Sequence, residues 1–366
     1  MTIRFHSPLP PERTGVADYS AALLVELSRL AEVILNPTGP TPGLNLYHIG
    51  NNAFHRAAYA QALAQPGVVV LHDAVLQHFF LGQLTREAYI EEFVYNYGEW
   101  YRTFAAELWT DRHKASSDAR YFAWPMLRRL TESALGLIVH NAAAEQAVLR
   151  HAPHAKIAII PHLFTPPPEP DPADVARLRA SWTSDASAII GVFGYLRETK
   201  RIPSLVHAFE RARARGAKLA LLVSGDFVSQ GLEESLRASL RQPGVIRRGY
   251  VEEDEFWLQA HAVDACVNLR VPSAGESSGI ATRLMGIGKA VFLTEGPEVS
   301  HFPPGSYFPI SAGPTEEAEL EEFLMLIARQ PEVAHEMGRL AQQYVVREQS
   351  VKRVATDYLK FLKLFA

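Results

Sequence analysis

Two short stretches in the second half of this chain have the residue types that hold phosphate. The first is Gly194-Tyr195-Leu196-Arg197-Glu198-Thr199-Lys200-Arg201, a turn between an apolar run and a helical pattern. Arg197 can fork onto two phosphate oxygens, and Lys200 supplies a compact point charge. Arg201 is expected to face solvent. The second is Gly275-Glu276-Ser277-Ser278-Gly279, which opens a helix after the apolar run Ala265–Leu269. Ser277 or Ser278 can cap that helix, and Gly279 lets a ligand approach the backbone closely. One stretch offers fixed cations; the other offers free amide groups and the positive end of a helix. An anion held by both would most simply be a diphosphate. Glu276 costs energy beside an anion unless it meets hydroxyls or a cation, so it fits a sugar attached to the phosphate. A solvated basic turn and a surface acid are the plainer alternatives.

Further candidates are weaker one by one. Gly15, where a helix opens after Thr14, is a third amide-rich helix start. His72-Asp73 follows an apolar strand and reads either as an acid–base pair, since histidine titrates near neutrality, or as a structural pair. The series Phe93, Tyr97, Trp100, Tyr101, Phe104 and Leu108 has helical spacing and suits the core of a cap better than a stacking platform. Cys266 sits in an apolar run and reads as a packing residue, and a single cysteine excludes an internal disulfide. His151 and His154 flank Pro153 in a turn with no metal-ligand pattern. No Gly-x-Gly-x-x-Gly follows a strand and no Gly-x4-Gly-Lys-Ser/Thr occurs, which argues against a dinucleotide dehydrogenase and a P-loop ATPase. No Asp-x-Asp is present either, so the protein's own cations are expected to neutralise a diphosphate without a metal.

The elements that must position these residues alternate between strand and helix. Ile3–His6, Leu44–Ile49, Val68–Leu71, Leu137–Val139 and Ile157–Ile160 read as buried strands. Val16, Tyr19, Leu23, Leu27 and Leu30 form one stripe of an early helix. Such alternation predicts a parallel sheet covered on both faces, with ligands beyond the carboxyl ends of its strands. Asn51, Asn52, His72 and Asp73 fall there. Residues from about 76 to 130 read as a helical insertion, and Pro161–Pro172 as a stiff linker. The second half repeats the pattern with strands at Ala188–Phe193, Lys218–Ser224, Val245–Arg248, Ala265–Leu269, Ala290–Thr294 and Tyr307–Ile310. This predicts an α/β protein of two domains, residues 1–165 and 166–348, with a carboxyl-terminal amphipathic helix over 349–366.

The 366 residues carry a formal charge of −4 and 48% hydrophobic residues, suited to two globular domains rather than to a nucleic-acid partner. No apolar run is long enough to span a bilayer, and the amino terminus lacks a secretory h-region, so a cytoplasmic location is expected. The stretch Arg120–Arg129 has the aromatic and basic composition of a peripheral contact with an anionic membrane.

Taken in order, these pieces resemble the retaining glycosyltransferases of family 4, with the GT-B fold. The resemblance runs through Thr14–Tyr19, Ile49-Gly50-Asn51-Asn52 with His55, and Leu71-His72-Asp73. It continues through Phe193-Gly194-Tyr195 with Arg197 and Lys200, Gly275–Gly279, and Gly288-Lys289-Ala290-Val291. It implies two Rossmann-like domains facing across a cleft, with the carboxyl-terminal helix completing the first. It implies a nucleotide-diphospho-sugar donor on the second domain and a glycan or lipid-linked glycan acceptor, with no cofactor or metal. Arg197 and Lys200 would neutralise the diphosphate with help from Gly15, Ser277, Ser278 and Gly279. Glu276 would hold sugar hydroxyls, and His72 would face the sugar. Asn51, Asn52 and Asp73 would lie on the acceptor side. Lys200, Glu276 and His72 are the expected catalytic residues. The family's second glutamate, eight positions on, is Leu284 here, and Arg283 is the best local match for a donor contact. A homologue that binds sugar nucleotide or glycan without transfer, and a GT-B-like epimerase, stay open.

Overall fold

The computed structural model describes residues 1–12, 14–39 and 41–366. They form two compact units, Met1–Leu163 with Pro272–Ser277 and Glu348–Ala366, and Phe164–Val271 with Ser278–Arg347. Each is built on a six-stranded parallel sheet.

The first sheet holds β1 (Thr2–His6), β2 (Glu32–Leu35), β3 (Leu44–Ile49), β4 (Val68–Leu71), β5 (Gly136–Val139) and β6 (Ile157–Ile159), in the order β2-β1-β3-β4-β5-β6. Its side chains alternate between two cores, as the period of a strand requires. Tyr47, Ile49, Val69, Leu71, Leu137 and Val139 enter one core. Ile3, Phe5, Leu46, Val68, Val70 and Ile138 enter the other. Helix Gly15–Leu30 starts at Thr14, whose hydroxyl accepts from the Val16 amide, and it buries Tyr19, Leu23 and Leu27. The carboxyl-terminal helix Val351–Leu362 covers the same core, and the Tyr19 and Tyr358 hydroxyls meet at 2.8 Å. Strand β2 has no counterpart among the predicted strands. It follows the first helix after a single residue and lies half exposed at the sheet edge, so it lacks the apolar run that marks the others.

Between β4 and β5 the chain forms helices Gln77–Leu81, Arg86–Tyr97, Arg102–Thr110 and Arg128–Ser133. The aromatic series is broken at Gly98, whose φ of +97° ends a helix. Phe93 and Leu108 are buried and Tyr97 and Phe104 pack against them, whereas Trp100 is 98% exposed. In the basic stretch, Arg120 pairs with Asp111 and Asp118, Arg128 with Glu132, and Arg129 with Glu92. Among the described residues no helix is long and apolar enough to cross a membrane.

The second sheet holds β7 (Ala188–Phe193), β8 (Leu219–Ser224), β9 (Val245–Arg248), β10 (Ala265–Val267), β11 (Ala290–Thr294) and β12 (Phe308–Ile310), in the order β12-β11-β10-β7-β8-β9. Ile190, Val192, Leu221, Val223 and Val267 enter one core. Ile189, Ala220, Leu222, Cys266 and Val291 enter the other. Cys266 is buried, and burial pushes its thiol far above the usual range, so it packs rather than reacts.

Candidate functional site

In the second unit, β7 ends at Phe193 and the backbone turns at Gly194 with φ +80°. Neighbouring Gly225, after β8, has φ +129°, and a Cβ there would run into the Gly194 carbonyl. Only glycine allows the two strand exits to lie this close. The chain then makes a short 3-10 turn, Glu198–Lys200, whose Thr199 carbonyl accepts from the Val271 amide at 2.9 Å. This ties the exit of β7 to that of β10.

Lys200 is 5% exposed, and its ammonium donates to the Phe193 carbonyl. Burial first, then the neighbouring guanidinium groups of Arg270 and Arg197, hold its amine well below the usual lysine range. Three basic side chains thus gather at the carboxyl end of the sheet, and an anion among them would favour the charged form of Lys200. Arg270 lies just beyond β10, and its type and strand-end position are the sequence signal that could have found it. A Cβ on Gly194 would sit 3.2 Å from Lys200 Nζ and 3.6 Å from Ile280 Cγ1. Ile280 is in the first turn of helix Gly279–Gly286, so the ammonium and that helix start share one neighbourhood. Ser278 caps the helix, its hydroxyl accepting from Ala281 N at 3.3 Å.

Arg283, further along this helix, lies with its guanidinium carbon 4.3 Å from the Phe256 and Trp257 ring centroids and pairs with Glu253. That anchorage turns it to the aromatic pair. Arg201, expected in solvent, keeps its side chain 39% exposed while its Nε donates to both Glu316 carboxylate oxygens, at 2.8 and 3.1 Å. Glu316 is 1% exposed, so the arginine is the counter-charge of a buried carboxylate. Its left-handed φ of +57° directs it there.

In the first unit, the carboxyl ends of three adjacent strands bring histidines together. His140 Nδ1 lies 2.8 Å from the Ile160 carbonyl oxygen, His140 Nε2 lies 3.2 Å from His72 Nδ1, and His72 Nε2 lies 2.9 Å from His48 Nδ1. A carbonyl only accepts, so His140 carries its proton on Nδ1. The pattern then assigns Nδ1–H to His72 and to His48 in turn. The chain ends at His48 Nε2, a buried atom without a hydrogen-bond partner among the described residues. Burial first, then the neighbouring imidazoles, keep His48 and His72 neutral far below the usual histidine range, and burial brings His140 down to about 3. Tyr19 meets His72 edge-on, ring centroids 4.8 Å apart. Both His72 nitrogens are therefore spent on other histidines. This favours the structural of the two readings of His72-Asp73 over the acid–base one.

Beside this chain, Asp73 Oδ2 accepts the Asn51 amide at 2.8 Å. Asn51 Oδ1 accepts from Phe79 N at 2.8 Å, and its Nδ2 donates to His78 Nδ1 at 3.0 Å. His78 Nε2 meets the Ala115 carbonyl at 2.9 Å. Asn51 thus pins the helical insertion to the end of β3. Asn52 caps the short turn that follows, accepting from Phe54 N at 3.0 Å. His55 Nδ1 donates to the His48 carbonyl at 2.9 Å.

The segment Pro272–Ser277 belongs to this unit. Ala74 N donates to the Ala274 carbonyl at 2.8 Å, and Asn141 Nδ2 donates to the Gly275 carbonyl and to Ser277 Oγ, both at 3.0 Å. Asn141, which follows His140, was not anticipated. Glu276 Oε2 accepts the Ala274 amide at 2.8 Å and lies 3.4 Å from Ser273 Oγ, so it closes its own loop. Gly15 opens its helix with nothing among the described residues within 4 Å of where a Cβ would stand. Among the described residues no group of three or more His, Cys, Asp or Glu is arranged to hold a metal.

No protein-family model matches the chain. No curated protein matches it in sequence either. Solved structures do match it in fold. Anabaena HepE, in complex with UDP and glucose, is 14% identical over 100% of both chains, with a TM-score of 0.65. Sucrose-phosphate synthase from Thermosynechococcus elongatus is 15% identical over 100% of this chain and 98% of that one, also at 0.65. WaaG, a glycosyltransferase involved in lipopolysaccharide biosynthesis, is 12% identical over 99% of each, at 0.60. At these identities the likeness is one of architecture: two Rossmann-like units of the GT-B fold.

Proposed function

We propose that the protein is a retaining, metal-independent glycosyltransferase that moves a sugar from a nucleotide-diphospho-sugar to a hydroxyl of a glycan or glycolipid. The observation that carries this reading is the buried Lys200 amine, bonded among the described residues only to a carbonyl, with Arg197 and Arg270 beside it and a helix start close by. Such a group is costly without an anion and is repaid by a diphosphate. HepE has been solved with UDP-glucose, and this fits a donor of that chemical class.

In the proposed reaction the bond between the sugar's anomeric carbon and the β-phosphate oxygen breaks. A bond from the acceptor oxygen to that carbon forms on the same face, and the acceptor proton passes to the departing phosphate. Lys200, Arg197, Arg270 and the amides at Gly279 stabilise the charge that develops on the diphosphate. Glu276 orients sugar hydroxyls, and Asn52 and Asp73 meet the acceptor. The locked neutral state of His72 agrees with a proton that goes to phosphate rather than to a side chain.

Incubation with a panel of sugar nucleotides, with and without EDTA, tests the reading through released nucleoside diphosphate. Release that persists in EDTA is expected, and release abolished by EDTA refutes metal independence. Thermal stabilisation by a sugar nucleotide without turnover would identify a binding protein instead.

A further inference from the structure

We propose that the first unit carries a second anion pocket, built on Arg4 and Thr41 and suited to a phosphate monoester. This inference does not rest on the donor site proposed above. Strand β1 sends Ile3 and Phe5 into an apolar core, and its alternation turns Arg4 to the opposite face. There Arg4 is 8% exposed. Its Nη1 donates to Gln65 Oε1 and its Nη2 to the Gly39 carbonyl, both at 3.1 Å. Its Nε is buried and has no hydrogen-bond partner among the described residues. Both acceptors are neutral, and among the described residues no carboxylate pairs with this guanidinium.

A guanidinium cannot shed its proton to escape burial, as a lysine can. The remaining compensation is the partial negative charge at the carboxyl end of helix Arg56–Ala64, where Gln65 is the capping residue. Thr41 Oγ1 is a second buried polar atom without a partner among the described residues. Both residues line one cavity of about 490 Å³, together with Thr38, Gly39, Pro42 and Gln65. The cavity is far larger than one water needs and falls in the range of small-ligand sites.

The chemistry of the lining selects the occupant. A planar fork of N–H donors beside threonine hydroxyls matches a tetrahedral oxyanion. A neutral sugar would leave the arginine charge uncompensated, and a cation would be repelled. The phosphate has two possible sources, a free phosphate ester or the headgroup of a lipid.

The test uses the whole chain with inorganic phosphate as probe, at constant ionic strength with chloride as reference. A Lys200→Met background removes the phosphate cradle of the second unit. Saturable phosphate binding with a rise in Tm is expected in that background. Adding Arg4→Met should weaken it by roughly 10-fold or more and erase the rise in Tm, and adding Thr41→Val should weaken it by about 3- to 10-fold. If Arg4→Met does not fold, Thr41→Val, which keeps the side-chain shape, carries the test. Binding that is absent in the Lys200→Met background, or untouched by Arg4→Met and Thr41→Val, overturns the proposal. Cosedimentation with phosphatidylcholine vesicles containing phosphatidic acid, lost on Thr41→Val, would assign the lipid source. Phosphate binding without cosedimentation would assign the free one. Sugar-nucleotide turnover is a separate readout, so the two proposals fail independently.

Discussion

His140 Nδ1 lies 2.8 Å from the carbonyl oxygen of Ile160, and this one contact sets the proton positions of three imidazoles. It makes His140 Nε2 an acceptor, which makes His72 Nδ1 a donor and His72 Nε2 an acceptor for His48. A single carbonyl at the end of β6 thereby directs a chain that reaches across the exits of β5, β4 and β3.

The chain predicts how stability depends on pH. Unfolded histidine takes up a proton near pH 6.5, whereas burial keeps these three neutral well below that, His140 down to about 3. Unfolding therefore takes up protons in this window, and stability falls as pH drops from about 6.5 toward 3. Each group contributes up to about 1.4 kcal/mol per pH unit. His48→Phe removes one titrating group and should reduce the slope of unfolding free energy against pH by about one proton. Denaturant melts between pH 7 and 4.5 measure it, and an unchanged slope would refute the neutral assignment of His48.

How much of this was legible beforehand depended on whether the cause was local. Strands such as Val68–Leu71 and Ala188–Phe193 announce themselves because a sheet covered on both faces needs continuous apolar runs. Strand β2 does not, being a short, half-exposed edge. Lys200 and Arg197 stood out through charge beside Gly194, whereas Arg270 and Asn141 looked like ordinary polar residues after strands. The histidine chain was invisible because residues 48, 72 and 140 meet only through the lateral order of β3, β4 and β5. The pairing of Arg201 with Glu316 was hidden because the two lie far apart along the sequence. No local pattern shows that Pro272–Ser277 packs with the first unit.

Lys200 gives a prediction with two opposed signs. Its buried amine is held low by desolvation and by Arg270 and Arg197, so replacing it with methionine of similar shape removes a cost of folding. Lys200→Met should melt at or above the parent temperature at neutral pH while turnover falls by about 100- to 1,000-fold. A diphosphate beside the amine raises its proton affinity again. Nucleoside diphosphate binding should therefore take up a proton and weaken as pH rises. Calorimetry in buffers of different ionisation enthalpy reads that uptake directly, and Lys200→Met should abolish it.

Glu276 allows its two roles to be separated. Its Oε2 accepts the Ala274 amide at 2.8 Å, so one role is to close the loop. Glu276→Gln keeps a carbonyl acceptor for that amide, whereas Glu276→Ala keeps none. If the carboxylate also orients sugar hydroxyls, both variants lose kcat, by about 10-fold or more for glutamine, since hydrogen bonds to a charged group are worth about 1.5–3 kcal/mol. If it only closes the loop, glutamine stays near parental activity and alanine alone is impaired. Steady-state kinetics on the two variants distinguish the cases.

Gly225 links backbone geometry to the phosphate cradle. It sits after β8 with φ +129°, and any Cβ there would meet the Gly194 carbonyl. Gly194 in turn lies against the Lys200 ammonium and the first turn of helix Gly279–Gly286. Gly225→Ala must therefore either strain its own backbone, at about 1–3 kcal/mol, or push Gly194 and so displace Lys200. The outcome expected is a lower Tm together with weaker nucleoside diphosphate binding, because the same contact serves both. Gly216→Ala is the control. It also has positive φ, +93°, but nothing among the described residues lies within 4 Å of its would-be Cβ, so it should lower Tm alone. Equal losses of nucleotide affinity in the two variants would show that the Gly194–Gly225 contact does not position the cradle.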